Sequence, residues 1–237
     1  MVLEFSANAS RIRAKREGEG SLNKAKVLEG MKAIGLVPVL RAESVINALA
    51  LAEALVAGGV TVLEVTMTVP GAMHVMRRLA ESRPDILIGA GTVLDAETAR
   101  MCMLEGAQFV VSPALNLKTI EMCHRYSVAV LPGALTPTEI IDAWQAGADA
   151  VKIFPASAMG GASYLKSVKA PLPQVEMIPT GGVSLTTARD YLKAGAFALG
   201  IGADLVDANA MAEGRLLVVT ENARRFLAVV KECRNEV

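Results

Sequence analysis

A glycine followed by a short apolar run recurs along most of the chain. It occurs in four segments, which are AGGVTVLEV (57–65), EGAQFVVSP (105–113), AGADAVKIFP (146–155) and AGAFALGIG (194–202). Glycine suits the left-handed position just past the end of a helix. The run after it is too short for a helix and rich in Val, Ile, Leu or Phe, so it predicts a strand. Each segment therefore marks the end of a helix and the start of a strand.

Four further apolar runs complete a regular series of predicted strands. They are LVPVL (36–40), ILIG (86–89), VAVL (128–131) and VEMIP (175–179). The eight strands begin near residues 36, 61, 86, 108, 128, 149, 175 and 197, and each unit holds one strand, one helix and two short loops. This even spacing predicts an α/β fold, a (β/α)8 TIM barrel of parallel strands with the helices outside. An open doubly wound sheet is the alternative.

Pro38 disagrees with its predicted strand. Proline has no N–H group and cannot donate to a strand ladder. We therefore expect the first strand to be short or bulged at Pro38.

Residues 1–33 stand outside the repeat, and residues 34–237 form the predicted catalytic barrel domain. The segment RIRAKREGEG (11–20) is charged and interrupted by glycine, which predicts a solvated N-terminal tail. A helix from about residue 21 to residue 33 is expected to cover the bottom of the barrel. Binding of nucleic acid by the basic cluster is the less favoured alternative, because acidic residues are interleaved with the basic ones.

Charge and apolar patterning limit the partners of the chain. The 24 Lys and Arg residues balance the 24 Asp and Glu residues, so no long-range field attracts nucleic acid or an anionic membrane. No apolar run is long enough for a membrane span, and the first residues lack the apolar block of a signal peptide. We therefore expect a cytoplasmic protein. Hydrophobic residues make up 52% of the chain, which leaves apolar surface for a subunit contact.

Cysteine and histidine residues give no metal-site pattern. Cys102, Cys123 and Cys233 are far apart and form no CxxC pair, which predicts reduced structural thiols. His74 and His124 lie in helical patterns, and no carboxylate arrangement joins them as a metal site. We expect no metal and no cofactor.

Three charged residues fall on strand faces that can all point into the predicted barrel. Because side chains alternate along a strand, Arg41, Glu64 and Lys152 can converge on the interior. All three lie towards the C-terminal ends of their strands, where barrel enzymes build active sites. A buried structural cluster is the alternative, although replacing such a cluster with hydrophobic residues is often neutral for stability.

The three charged side chains together suit Schiff-base chemistry on an α-keto acid. A lysine shielded from water among Val151, Ile153 and Phe154 loses its preference for the charged form. The neutral amine is a nucleophile for a carbonyl carbon. Glu64 can move protons as the imine forms and as C–C bonds change. Arg41 can hold a carboxylate through two hydrogen bonds.

Glycine-rich turns follow the last two predicted strands. They are PTGGVS (179–184), with Gly181 and Gly182, and GIGADL (200–205), with Gly202. The loops after strands seven and eight of barrels commonly bind phosphate through backbone N–H groups. Thr92 in GAGTVL (89–94) and Pro113 in VSPAL (111–115) lie at the same rim, where ordinary turn formation is an equally good interpretation.

Five ordered motifs resemble a known enzyme family. They are VLEVT (62–66), GAGTVL (89–94), VSP (111–113), VKIFPA (151–156) and PTGGV (179–183). The chain is similar over about residues 37–206 to the bacterial class I aldolases for 2-keto-3-deoxy-6-phosphogluconate (KDPG) and 4-hydroxy-2-oxoglutarate (KHG). The resemblance implies a (β/α)8 barrel, usually a homotrimer, that needs no metal. It also implies a keto-acid sugar phosphate as substrate, namely KDPG, which is cleaved reversibly to pyruvate and glyceraldehyde 3-phosphate.

The resemblance also implies roles for individual residues. Lys152 would form the Schiff base with the pyruvyl carbonyl, and Glu64 would be the general acid/base, through a water. The other implied site residues are Arg41 and Thr92 on the carboxylate side, Pro113 and Phe154 around the pocket, Thr180, Gly181 and Gly182 at the sugar and phosphate end, and Gly202 and Ala203 in the strand-eight turn.

The chain departs from the pattern of that family at two positions. Many members carry an arginine where this chain has Thr68, and many have a serine where it has Ala203. Charge compensation then rests more on Arg41, and phosphate binding rests on backbone N–H groups. The galactonate-derived epimer and KHG stay open as substrates. A phosphate-handling isomerase or lyase without an imine, and a non-catalytic oligomeric barrel, stay open as alternatives to an aldolase.

Overall fold

The computed structural model describes residues 23–206 and 214–236. Within these ranges, strands and helices alternate along the chain. The helices are α1 (Lys24–Ile34), α2 (Val45–Ala57), α3 (Ala72–Ser82), α4 (Ala96–Leu104), α5 (Leu117–Arg125), α6 (Pro137–Gln145), α7 (Gly161–Lys169), α8 (Ala188–Lys193) and α9 (Leu216–Asn235), with a 3-10 helix at Ala156–Met159. The strands are β1 (Leu36–Leu40), β2 (Val62–Thr66), β3 (Leu87–Gly91), β4 (Phe109–Val111), β5 (Ala129–Leu131), β6 (Gly133–Ala134), β7 (Val151–Ile153), β8 (Met177–Pro179) and β9 (Leu199–Ile201).

The strands form two parallel sheets. One sheet has the order β5-β4-β3-β2-β1-β9 and the other has the order β6-β7-β8. Only Pro132 separates β5 from β6, so these two strands together take the position of the fifth predicted strand. An isolated parallel bridge between Thr180 and Gly200 links the end of β8 to β9. The predicted parallel α/β fold is therefore confirmed, as a curled sheet of six strands with a second sheet of three.

Local sequence signals set the boundaries of the helices. The hydroxyl of Ser44 accepts a hydrogen bond of 3.1 Å from the N–H of Asn47 and starts α2, which is capped at its other end by Gly58. Thr136 and Glu139 form a reciprocal capping box at the start of α6. Such caps satisfy N–H and C=O groups that the helix itself leaves unpaired. These caps therefore fix the residues at which α2 and α6 begin.

Alternation along the strands divides their side chains between two buried clusters. Outward-facing residues such as Leu63 and Val151 pack with the helices. The opposite face contributes Val37, Val62 and Ala150 to a second cluster between the strands. This is the division that a period of two predicts, and it leaves the C-terminal ends of the strands free for polar side chains.

Helix α1 packs on the second cluster at the amino ends of the strands. Val27 and Met31 are buried there beside Val62, the first residue of β2. Lys24 forms an ion pair of 2.8 Å with Asp149, two residues before β7 begins. The helix overlaps the one expected from about residue 21 to residue 33, and the charged tail predicted before it lies outside the described residues.

Pro38 neither shortens nor bulges the first strand, so that expectation from the sequence is wrong. Strand β1 is continuous over five residues, and Pro38 pairs in register with Ile201 of β9. A residue of a parallel strand directs its N–H towards one neighbour only. The missing donor therefore removes a single ladder bond and leaves the rest of the strand intact.

The cysteine residues are free and buried. Burial raises the pKa of Cys102 and of Cys123 from 9.0 to about 12. A raised pKa keeps a thiol protonated, so these two groups carry little reactive thiolate near neutral pH. We expect both to resist N-ethylmaleimide in the native protein and to react fully in denaturant, as measured by mass spectrometry of the peptides. Rapid native labelling of Cys102 would contradict this burial.

Candidate active site

A cavity of about 480 Å³ opens where β1, β7, β8 and β9 end. Its wall is built from the residues that follow these strands and from the last inward side chains within them. The sequence-predicted residues on this wall are Arg41, Lys152, Phe154, Thr180, Gly181, Gly182, Gly202 and Ala203. Eight residues singled out in the sequence are thus brought together around one space by the parallel arrangement of the strands.

Lys152 and Glu64 lie side by side and buried. The distance from Lys152 Nζ to Glu64 Oε1 is 3.6 Å, and the two side chains are 8% and 3% exposed. Nζ also lies 5.3 Å from the centre of the Phe154 ring. Within the described part of the chain, Glu64 Oε1 has no hydrogen-bond partner, since 3.6 Å exceeds hydrogen-bond length. A buried lysine is therefore tolerated in β7 because a buried carboxylate lies beside it.

Gly91 makes room for the Glu64 carboxylate on the neighbouring strand. Strands β2 and β3 pair along their full length, and Gly91 is opposite Thr66. A Cβ atom on Gly91 would lie 2.1 Å from Glu64 Oε1 and 2.5 Å from its Cγ. Any side chain at this position would displace the carboxylate, so the glycine sets the position of Glu64.

We expect Gly91→Ala to displace the Glu64 carboxylate and thereby to lower the turnover number, kcat, by about 10²-fold. A displacement near 1 Å at a catalytic group has an effect of this size. The comparison variant is Gly89→Ala on the same strand and face, whose Cβ would collide with the ring of Phe109 and not with Glu64. We expect Gly89→Ala to lower the unfolding temperature without lowering the kcat of the folded protein. Equal kcat values for the two alanine variants would contradict the role of Gly91.

Thr92 and Pro113 do not lie on the cavity wall, although the sequence predicted both at the site. Thr92 directly follows Gly91 and has a φ of 56°, a left-handed conformation that a β-branched residue rarely adopts. Pro113 packs against β6, because a Cβ on Gly133 would lie 2.2 Å from the Pro113 carbonyl carbon. Gly133 pairs in register with Lys152, so strand β6 lies between Pro113 and the lysine.

The glycine turns after β8 and β9 differ in how much space they leave. Gly181 and Gly182 have φ values of 89° and 74°, so this turn requires two consecutive left-handed residues. A Cβ on Gly200 would lie 2.1 Å from Thr180 Oγ1, so the threonine side chain rests on the glycine. Around Gly202, by contrast, a Cβ would have no heavy atom of residues 23–206 or 214–236 within 4 Å. The space at Gly202 opens into the cavity.

Comparison with known families decides between the interpretations of this site. The family model for KDPG and KHG aldolase matches residues 27–221, which include the whole cavity wall. The chain belongs to the KDPG and KHG aldolase family. The family predicted from five motifs in the sequence is thereby confirmed.

Curated and solved members of the KDPG and KHG aldolase family cover most of the chain. The 2-dehydro-3-deoxy-phosphogluconate aldolase of Haemophilus influenzae is 38% identical over 70% of this chain and 79% of its own length. The KHG/KDPG aldolase of Escherichia coli K12 is 36% identical over 83% of this chain and 92% of its own length. The structure of KDPG aldolase from Legionella pneumophila, with pyruvate captured at low pH as a covalent carbinolamine intermediate, is similar at a TM-score of 0.78 and 32% identity. It covers 84% of this chain and 96% of that one.

Three polar residues of the wall were missed by sequence reasoning in this member of the family. They are Glu43, Asn47 and Asp204. Glu43 and Asn47 flank the start of α2, and Asp204 lies in the turn after β9. Glu43 and Asp204 come just after strand ends, but every rim residue does, so this position did not single them out.

The two departures from the family pattern are both exposed, but only one of them lines the cavity. Ala203 is on the cavity wall and exposed, and Thr68 follows β2. Arg41 is on the wall as well, and it forms no ion pair or hydrogen bond with the residues that the structure describes. The guanidinium is therefore available for an anionic ligand.

Membrane and metal features are absent from residues 23–206 and 214–236. No helix in these ranges is both long enough and apolar enough to cross a membrane. No group of three or more His, Cys, Asp or Glu side chains in the same ranges is placed to hold a metal ion. Nε2 of His124 lies 2.7 Å from the carbonyl oxygen of Gly147, a contact that fixes the imidazole against the loop before β7.

Proposed function

We propose that the chain is a class I aldolase that reversibly cleaves KDPG to pyruvate and glyceraldehyde 3-phosphate. The observation that carries this proposal is the buried Lys152–Glu64 pair beside the cavity of a member of this family. The names of the relatives support the substrate, since they are called 2-dehydro-3-deoxy-phosphogluconate aldolase and KHG/KDPG aldolase.

Lys152 would begin the reaction at C2 of the keto acid. Its neutral amine adds to the carbonyl carbon to give a carbinolamine, and loss of water then gives a protonated imine. The covalent carbinolamine captured with pyruvate in the Legionella relative supports this step.

Glu64 would move the protons of the cleavage step. Its carboxylate accepts the proton of the C4 hydroxyl, directly or through a water, while the C3–C4 bond breaks. The bonding electrons pass to the iminium and give an enamine, and glyceraldehyde 3-phosphate leaves. Protonation of the enamine at C3 and addition of water to the resulting imine release pyruvate and regenerate the Lys152 amine.

The remaining residues of the site would bind and orient the substrate. The strained backbone of Thr92 supports a functional role there, because such conformations concentrate at active sites. Our assignments are Arg41 and Thr92 for the carboxylate, Pro113 and Phe154 for the shape of the pocket, Thr180, Gly181 and Gly182 for the sugar and phosphate, and Gly202 and Ala203 for the phosphate turn.

Release of pyruvate tests the proposal and separates the candidate substrates. The purified enzyme is coupled to lactate dehydrogenase and given KDPG, its galactonate-derived epimer and KHG in parallel. We expect the highest kcat/KM for KDPG, and a higher value for KHG would assign the chain to the unphosphorylated substrate. Turnover of none of the three by a folded protein would favour the non-catalytic barrel.

We infer further that the two sheets close into an eight-stranded barrel. Hydrogen bonds support this closure, because Lys152 N–H donates to Pro132 C=O at 2.9 Å and Phe154 N–H donates to Ala134 C=O. The bridge between Thr180 and Gly200 supports closure on the other side. In this arrangement residues 1–33 are the tail and capping helix, and residues 34–237 are the barrel domain.

We also propose that the barrel assembles as a cytoplasmic homotrimer. Large apolar side chains support a subunit contact. On α4, the loop before it and the start of α5, four are more than half exposed, namely Leu94, Met101, Leu104 and Leu117. Sedimentation equilibrium is expected to give three times the chain mass of 24.9 kDa. A single chain mass at micromolar concentration would contradict the trimer.

A further inference from the structure

Two threonine hydroxyl groups at the end of β2 form a short relay to β1. Thr66 Oγ1 donates to the carbonyl oxygen of Leu40 at 3.0 Å, and this bond is buried. Thr66 Oγ1 also lies 2.7 Å from Thr68 Oγ1. The side chain of Thr66 is completely buried, whereas Thr68 is exposed at the rim.

Proton counting fixes the direction of the relay. A hydroxyl carries one proton, and a carbonyl oxygen can only accept. The hydroxyl proton of Thr66 is donated to the carbonyl oxygen of Leu40. The hydrogen bond between the two threonines must therefore use the hydroxyl proton of Thr68. Thr68 donates to Thr66, and Thr66 donates to Leu40. Thr68 then has no proton left for a substrate anion.

The carbonyl that receives the relay belongs to the peptide bond just before Arg41. Leu40 is the last residue of β1, and the chain leaves the strand there to form the cavity wall with Arg41. Among the described residues, no side chain forms an ion pair with Arg41. The direction in which the guanidinium leaves the strand therefore depends on how its backbone is held.

We infer that Thr66, assisted by Thr68, is a positioning residue that holds Arg41 for the anionic group of the substrate. This inference rests on the proposed function, because it takes Arg41 as an anion-binding residue of the aldolase site. The relay extends the contact between β1 and β2 one step beyond their last ladder pair, Leu40 and Val65. The buried hydroxyl of Thr66 therefore restrains the backbone from which the Arg41 side chain extends.

Thr66→Val tests the relay, because valine keeps the shape of threonine and removes the hydroxyl. We expect KM for the keto-acid substrate to rise about tenfold with kcat within about threefold, since one buried hydrogen bond typically contributes that much. Thr66→Ser keeps the donor and is expected to restore KM to within about twofold of the original. Thr68→Val, at an exposed position, is expected to raise KM about threefold and serves if Thr66→Val folds poorly.

Thr220→Val is the matched control. Thr220 Oγ1 also donates from a buried position to a backbone carbonyl, that of Ala54 at 2.8 Å, but it lies between α9 and α2, away from the cavity. Both valine variants are expected to lower the unfolding temperature, and only Thr66→Val is expected to raise KM. A similar rise in KM for Thr220→Val would overturn the inference.

A double-mutant cycle with Arg41→Met decides whether Thr66 acts through Arg41. If it does, Thr66→Val changes KM by less than about twofold once Arg41 is absent, because coupled sites are non-additive. Independent tenfold effects in the double variant, or a fall in kcat in place of a rise in KM, would overturn the relay. Trapping of pyruvate on Lys152 with borohydride distinguishes failure of the relay from failure of the proposed function. If only the relay is wrong, the adduct still forms; if the protein is not a Schiff-base aldolase, no adduct forms.

Discussion

Replacing Lys152 with arginine is expected to lower kcat by roughly 10⁴-fold or more, as removal of a covalent nucleophile does in other enzymes. Arginine places a positive charge beside the buried Glu64 carboxylate, so the variant does not leave that carboxylate without a partner. A guanidinium cannot form the imine with a keto acid. The circular dichroism spectrum is expected to match that of the unchanged protein.

Borohydride in the presence of pyruvate provides the direct measurement. The unchanged protein is expected to gain one reduced pyruvyl group on Lys152, located by peptide mass spectrometry, and Lys152→Arg to gain none. Lys169→Arg is the control, because Lys169 pairs with Glu176 at 3.5 Å outside the cavity and should leave both turnover and labelling unchanged. Full turnover by Lys152→Arg would point to an isomerase or lyase that uses no imine.

Replacing Glu64 with glutamine is expected to lower kcat by about 10²- to 10⁴-fold, the usual contribution of general acid–base catalysis. Glutamine has nearly the same shape, so it fits against Gly91 where a larger group would not. The adduct between pyruvate and Lys152 is still expected to form, but more slowly, because the amine is retained while its proton-transfer partner is lost. Rapid-quench measurement of adduct formation separates this step from steady-state cleavage.

Asp149→Asn is the matched control for the loss of a carboxylate. The Asp149 side chain is only 9% exposed and pairs with Lys24 at 2.8 Å, but it lies at the other end of β7 from the cavity. We expect it to reduce stability and to leave kcat unchanged. If Glu64→Gln and Asp149→Asn lower kcat equally, the role of Glu64 is structural and not catalytic.

The order and spacing of the strands could be predicted from the sequence because their signals are local. A glycine that ends a helix and an apolar run that follows it are both readable without a structure. The observed strands accordingly begin within two residues of the predicted positions. The division of the fifth strand at Pro132 and the division into two sheets depend on hydrogen bonds between strands, which the sequence pattern does not encode.

The candidate site was predictable where side-chain alternation decides direction. Lys152 and Glu64 lie 88 positions apart in the sequence, and the period of two places both on the inward face. Loop residues have no such period. Glu43 and Asp204 were therefore missed, and Thr92 was expected on a wall that it does not line. The relay from Thr68 to Leu40 was equally hidden, because it depends on a tertiary contact between two strand ends.

Helix α1 has a practical consequence for engineering a smaller version of the protein. Every wall residue of the cavity lies after α1 in the sequence, so deleting α1 removes no residue of the candidate site. A polypeptide that starts after Ile34 would, however, expose the hydrophobic cluster that Val27 and Met31 now cover. The shortened protein is expected to aggregate during expression, because it exposes a large apolar patch. A minimal unit should therefore keep the chain from Asn23 onward.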